Sequence, residues 1–308
     1  MIWEKLGLLY TPQALHPKLL SHAANPLALP LGGDLYRVFY SGRDHENRSS
    51  VGYVDIDLMA RSVVYVHPEP LFEHGPEGSF YSHGVSIGNC YQGREHQHIL
   101  FMGWQIHGKD HWRGDIGRLT VSDDLNTLSL TDPQPLMGVD PHDPVSLSYP
   151  WVEREGDLYR MWYGSTHTWD AGNGEMIHVI NYASSTDGLQ WQRHGLSVPF
   201  ALGDAQAFSR PTVILPGASA DGRYHMWFSY RSGRPGQTYR IGYAHSTDGV
   251  QWERDNAAAG IDIGADGWDS EMIEYPYVLQ HRGQHYMLYN GNGFGKTGFG
   301  LAVLHWKR

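Results

Sequence analysis

The sequence predicts an all-β protein, a five-bladed β-propeller closed by its N-terminal strand. Three observations carry this. First, an aromatic-rich strand recurs five times, ending at Tyr40, Met102, Tyr163, Phe228 and Tyr289, with steps of 61–65 residues that use up the 308-residue chain. A fixed period of several tens of residues marks repeated supersecondary units. Second, 37 Gly and 17 Pro make the chain rich in turns and poor in long helices. Third, alternating aromatic segments bounded by Gly-rich turns fit four-stranded blades. The even spacing predicts a single domain over 1–308.

The fourth unit shows the order within a blade most clearly. Strand A is predicted at 211–215, strand B at 224–230, strand C at 239–244 and strand D at 252–254. Between C and D lies Ser246-Thr247-Asp248-Gly249, whose Asp-Gly pair signals a tight turn. The third unit repeats this with Ser185-Thr186-Asp187-Gly188 before Trp191. The fifth unit has no sequence left for a D strand after 298–304. Trp3-Glu4-Lys5-Leu6-Gly7 resembles Trp191-Gln192-Arg193-His194-Gly195 and is the predicted closing strand. Closure of this kind removes an exposed sheet edge. Trp3, Trp191 and Trp252 share a blade position and are read as core.

Hydrophobic residues make up 41% and aromatics 13%, ample for a core. A net charge of −10 without a basic patch argues against nucleic-acid or anionic-membrane partners. Cys90 is the only cysteine, so no intrachain disulfide forms, which fits a reducing compartment. The N-terminus lacks a signal-peptide pattern and no apolar run reaches membrane-spanning length. The expected location is the cytoplasm. No cofactor or metal motif is present, and the sequence sets no oligomeric state.

In a propeller, strand A lines the central channel, and the start of A shares one face with the B–C loops. Here the A–B turns are short and generic, as at Glu155-Gly156-Asp157. The B–C loops are polar, aromatic and His-rich. They include Arg43-Asp44, the run Trp104 to Trp112, Trp169, and Asn290-Gly291-Asn292-Gly293. Such loops gathered at one end point to a binding site, and their residue types suit a sugar-like ligand. Four A strands begin with X-Pro: Asn25-Pro26, Tyr149-Pro150, Arg210-Pro211 and Tyr275-Pro276. Proline at a strand's first residue costs no ladder bond. The residues around these starts, among them His22, His83, Ser209, Glu271 and Glu274, are expected to ring one opening.

The layout, the Ser-Thr-Asp-Gly-x-x-Trp turns and the Glu-x-Pro strand start together resemble the five-bladed propeller glycoside hydrolases, families 32, 43 and 130 and their relatives. Trp268 to Pro276 and Tyr289 to Gly300 are similar to a subgroup of glycosidase-like proteins from bacterial polysaccharide and small-molecule biosynthetic gene clusters. The resemblance covers nearly the whole chain and implies a glycosidase-like enzyme acting on a small carbohydrate or sugar-derived metabolite. Families 32 and 43 place carboxylates at the A-strand starts of the first three blades. This chain has none there. Only blade five offers Glu274, with Glu271 three residues earlier. Regular β structure puts that odd spacing on opposite faces, and hydrolysis normally needs two carboxyl groups flanking one bond.

Glu274 is the first candidate acid or base; its alternative is a structural carboxylate pairing with Arg210 or a backbone amide. Glu271 is the second. His22 and His83 occupy the positions where the resembling families carry acids and are candidate bases, against the alternative that 19 His simply makes a His-rich protein. Arg43, oriented by Asp44, is a candidate ligand-binding pair or a salt bridge between blades. Tyr149, Arg210, Tyr275, Asp269 and Asn290 are further candidate ligand contacts, with Trp104, Trp112 and Trp169 as stacking platforms. Arg231 and Arg234 read as solvated loop cations. The rival to the enzyme reading is a non-hydrolytic protein on the same scaffold, either a sugar-binding module or an enzyme recruited for cyclisation or elimination.

Overall fold

The computed structural model describes residues 1–306 except 107, 109, 110 and 131. His107, Lys109 and Asp110, part of the predicted blade-two loop, lie outside the described residues. Strand β1 (Ile2–Tyr10) is followed by blade one: β2 (Ser21–Gly32), β3 (Leu35–Arg43), β4 (Ser49–Asp57) and β5 (Ser62–Val66). Blade two is β6 (Gly84–Gln92), β7 (Gln97–Ile106), β8 (Trp112–Val121) and β9 (Leu128–Leu130). Blade three is β10 (Ser146–Glu155), β11 (Leu158–Thr168), β12 (Ile177–Ser185) and β13 (Gln192–Leu196). Blade four is β14 (Ala207–Ile214), β15 (Tyr224–Arg231), β16 (Arg240–Ser246) and β17 (Glu253–Arg254). Blade five is β18 (Glu274–His281), β19 (Gln284–Asn290), β20 (Phe299–His305) and the returning β1. Within each blade, neighbouring strands pair antiparallel in a meander.

The closing strand lies as predicted: β1 runs antiparallel to β20, with Trp3 opposite Leu304 and Gly7 opposite Leu301. Lys5 adds an ion pair to Asp269 at 2.7 Å. Trp3 is buried and meets Trp227 of blade four edge-on at 5.2 Å. The Asp-Gly turns form as predicted too. The Asp187 carboxylate accepts the N–H groups of Leu189 and Gln190, and Gly188 and Gly249 take φ of +73°. Their carbonyls accept from the neighbouring blade: Tyr91 Oη donates to Gly188 and Trp162 Nε1 to Gly249.

Polar side chains also join blades around the ring. Asn89 of blade two and Val152 of blade three exchange two bonds of 2.9 Å. Asn290 of blade five takes the Asn25 N–H and donates to the Ala23 carbonyl of blade one.

No helix among the described residues is long and apolar enough to cross a membrane. The closure has a measurable consequence. Removing residues 1–8 should bare the edge of β20 and cause aggregation or a large drop in melting temperature. Trp3→Ala alone should cost about 3–5 kcal/mol, as for a buried large aromatic. A truncated chain that melts like the intact one would show that β1 does not close the ring.

Candidate functional site

At the head of four A strands the chain makes the same irregular step. Asn25, Tyr149, Arg210 and Tyr275, each just before a proline, adopt φ between +35° and +56°. Non-glycine residues rarely occupy this left-handed region. The ladder breaks at the same places, between Ala24 and Leu27, Ser148 and Trp151, Ser209 and Thr212, and Glu274 and Tyr277. Blade two breaks between Ile87 and Cys90 without a proline. Each bulge frees backbone groups from the ladder and re-aims the side chains beside it. Strain held at several equivalent positions around one opening is characteristic of a ligand site.

These strand heads and the loops between B and C strands enclose a cavity of about 330 Å³. Blade one contributes Asn25, Arg43 and Ser49; blade two Ser86, Trp104 and Trp112; blade three Tyr149 and His178. Blade four contributes Ser209, Arg231 and Tyr239, and blade five Tyr275. Phe294, edge-on to Tyr239 at 6.0 Å, completes the wall. The walls are aromatic and hydroxylated, and the charged side chains among them are Arg43 and Arg231. No Asp or Glu is among the described lining residues.

Glu274 lies within electrostatic reach of Arg43 and Arg231. It has no solvent exposure, and neither carboxylate oxygen has a hydrogen-bond partner. Burial pushes its carboxyl well above the usual carboxylate range, against the opposing pull of the two arginines. It pairs neither with Arg210 nor with a backbone amide. Burial also raises the neighbouring Tyr149 and Tyr275, whose hydroxyls sit 3.3 Å apart.

His178 was not among the residues predicted from sequence. Its Nε2 is 2.6 Å from Ser148 Oγ and its Nδ1 2.6 Å from Thr166 Oγ1. Burial, with help from His167 and Arg231, lowers it to about 3, so the ring is neutral. Gly164 makes room for this pair, since a Cβ there would collide with both Ser148 Oγ and His178 Nε2. His22 is similar. Burial first, then Arg43 and Lys296, lower it to about 4. His22 is therefore also a neutral imidazole at neutral pH.

Of the predicted site residues, Arg43, Trp104, Trp112, Tyr149 and Tyr275 line the cavity, as do Asn25 and Ser209 of the strand heads. The others do not. His22 is buried beside it, its Nδ1 2.8 Å from Ser21 Oγ. His83 is half-buried near the Trp104 ring. Glu271 is exposed, and only its backbone is engaged, donating to Asn292 Oδ1 and accepting from Thr238 and Arg240. Trp169 stacks on His111 at 4.8 Å, outside the wall.

The structure gives four predicted residues other tasks. Asp44 does not orient Arg43: it binds Arg48 Nε at 2.8 Å and accepts the Glu46 and Arg48 N–H groups. Burial raises its carboxyl, but these bonds outweigh that and hold it below the ordinary value. Arg210 is buried on the channel axis, donating to three carbonyls. Asp269 holds Lys5 and Tyr289. The Asn290 amide is used up on Asn25, Ala23 and Gly298. Arg231, expected as a solvated loop cation, instead pairs with Glu175 at 2.7 Å and lies over the Tyr239 ring at 4.8 Å. The signal that would have found Arg231 and Tyr239 is their position, flanking the blade-four B–C loop as Arg43 heads the equivalent loop in blade one.

No family model matches the chain. Over 306 residues, 99% of its length and 99% of theirs, it is 40% identical to the uncharacterized proteins MT1551 and Rv1502 of Mycobacterium tuberculosis. The chain belongs to the same family as these proteins. Its fold is that of the propeller glycoside hydrolases. One glycoside hydrolase structure superposes with a TM-score of 0.74 at 15% identity, covering 99% of this chain and 92% of that one. A structure described under the GH130 family of mannoside phosphorylases, containing glycoside hydrolases that target β-1,2-mannosidic linkages in Candida mannan, gives 0.73 at 13%, covering 99% and 94%. The Bombyx mori GH32 β-fructofuranosidase BmSUC1 gives 0.66 at 13%, covering 95% and 63%.

The buried titratable groups make stability depend on pH in opposite senses. His22 and His178 have folded values below the unfolded 6.5, so their contribution is present above pH 6.5 and is lost as pH falls toward about 4. Glu274 has a folded value above 4.5, so its contribution is present below pH 4.5 and is lost as pH rises through the folded value. Melting temperature should therefore fall on acidification from pH 6.5, and His178→Asn should flatten that limb. In Glu274→Gln the loss of stability above pH 4.5 should disappear. An unchanged pH–melting profile in both variants would contradict these assignments.

Proposed function

We propose that the protein is a carbohydrate-directed enzyme on the glycoside hydrolase propeller, handling a small sugar or sugar-derived ligand in the channel-mouth cavity. Glu274 is its proton-transfer group. The observation that carries this reading is the unpartnered, fully buried carboxyl of Glu274 beside that cavity. Buried polar groups are normally hydrogen-bonded, and an exception calls for a use. A carboxyl kept neutral at neutral pH can act as a general acid. The aromatic walls and free hydroxyls support a sugar-like ligand, which needs apolar faces to stack on and partners for its own hydroxyls.

A second reading is favoured by one observation, the lack of any carboxyl among the described lining residues. Two-carboxylate hydrolysis needs both groups at the scissile bond. One acid–base group suffices for elimination or cyclisation, and none is needed for binding alone.

Glu274→Gln separates these readings, because the amide keeps the shape and removes the titratable proton. In the enzyme reading the variant keeps ligand affinity and loses turnover by roughly a hundredfold or more. Asp157→Asn, in the exposed A–B turn of blade three, should leave turnover unchanged. Equal loss at both positions would place the site elsewhere. Ligand binding by both wild type and Glu274→Gln, with no product from either, would assign the protein to the binding class.

A further inference from the structure

We infer that the ligand of this cavity carries an anionic oxyacid group, a carboxylate or a phosphate on a sugar-sized polyhydroxy body, and that the Arg43 guanidinium receives it. The inference rests on reading the cavity as a sugar-ligand site and specifies the class of sugar.

Arg43 ends β3 with its side chain half-buried at the cavity wall. Among the described residues its guanidinium has no hydrogen-bond or ion-pair partner. The adjacent Asp44 is committed to Arg48. Glu274 makes no hydrogen bond or ion pair with it, and burial disfavours its charged form. His22, within electrostatic reach of it, is neutral. The second cavity arginine, Arg231, has the partner that Arg43 lacks, Glu175 at 2.7 Å. Arg43 is thus a half-buried cation without an ion-pair partner among the described residues. A half-buried charge of this kind is costly until it is paired. A planar fork of donors favours a carboxylate or phosphate, which it can bind through two parallel bonds.

Two further atoms describe the rest of the ligand. Asn25 Oδ1 and Ser209 Oγ are buried in the cavity lining without partners. Asn25 is 2% exposed and Ser209 4%. An unpaired amide oxygen accepts from a hydroxyl, and an unpaired serine hydroxyl donates to or accepts from one. Asn25 belongs to blade one and Ser209 to blade four, so a ligand meeting both and Arg43 spans the cavity. A volume of about 330 Å³ suits one small molecule.

The test is titration calorimetry at low salt with four probe groups: hexuronates such as glucuronate and galacturonate, hexose phosphates, the neutral parent hexoses, and inorganic phosphate. The expected result is that an acidic sugar binds about 10–100-fold tighter than its neutral parent, the range of a hydrogen bond to a charged group. Arg43→Ala should abolish that preference, and Arg43→Lys should keep part of it. The uronate and phosphate arms identify the acid group. Circular dichroism and melting of Arg43→Gln serve as the folding control. Neutral sugars binding as tightly as acidic ones, or a folded Arg43→Ala or Arg43→Gln that keeps the preference, would overturn the inference and leave the sugar site standing. Inorganic phosphate binding as tightly as the sugar phosphates would reduce the site to a bare anion pocket and also overturn it. Failure of every sugar to bind would overturn the sugar-site reading with it.

Discussion

Three backbone carbonyls from three blades converge on one guanidinium. Arg210 of blade four donates to Pro26 of blade one at 2.7 Å, to Gly88 of blade two at 3.3 Å and to Tyr275 of blade five at 2.8 Å. All three carbonyls lie inside the ladder breaks of their A strands. The bulges that tilt the strand heads toward the channel leave these acceptors without ladder partners, and buried carbonyls need donors. Arg210 meets the need from the equivalent bulge of its own strand. Burial lowers it to about 9 while Tyr277, Tyr149 and Tyr275 favour its charge, so it stays a cation at neutral pH. Blade three joins the same axis through Pro150, whose carbonyl occupies the space that a Cβ on Gly88 would need. This floor holds the left-handed Tyr275 of the cavity directly, through its carbonyl.

Above the floor, burial sets protonation against the ordinary order at neutral pH. Burial pushes the carboxyl of Glu274 toward its protonated form, and the imidazoles of His22 and His178 toward their neutral form. The common cause is desolvation, which disfavours whichever form is charged. An aromatic cavity then contains neutral acid–base groups and retains its permanent charge on guanidiniums, which do not titrate in this range. The unpaired Arg43 is thus a local positive charge in a protein whose net charge is −10. The global charge therefore says nothing about what the cavity attracts.

Much of the blade architecture was legible because it depends on short-range rules. The repeated aromatic anchors, the Asp-Gly turns and the Trp3–Gly7 likeness to Trp191–Gly195 each rest on local periodicity, and each corresponds to a strand or turn in place. The opening at the strand heads was legible as well, through the X-Pro pairs. The facing of individual side chains was not. Glu271 lies before β18 and outside the two-residue alternation of the strand, so its spacing from Glu274 did not reveal that it is exposed while Glu274 is sealed. Asn290 looks like a ligand contact in sequence because nothing local shows that Ala23 and Asn25, more than 260 residues away, claim its amide. Arg231 looks solvated until Glu175 and Tyr239 are brought beside it. His178 sits in an apolar strand, and Ser148 and Thr166 become its partners only when three strands assemble.

The pairing of β1 with β20 also governs the order of events during synthesis. Tyr10 is made early, but its strand partner Phe299 emerges nearly 290 residues later. At roughly 5–20 residues per second, the first strand waits on the order of 15–60 s for its partner. During that interval Trp3 and Tyr10 are without the blade they later help to fill. Blades one to four consist of consecutive strands and can form as they leave the ribosome. The ring itself locks only after the final strand is free. A nascent chain therefore spends most of its synthesis as an open arc with two unsatisfied edges, and this interval, more than the finished ring, is where a chaperone would act.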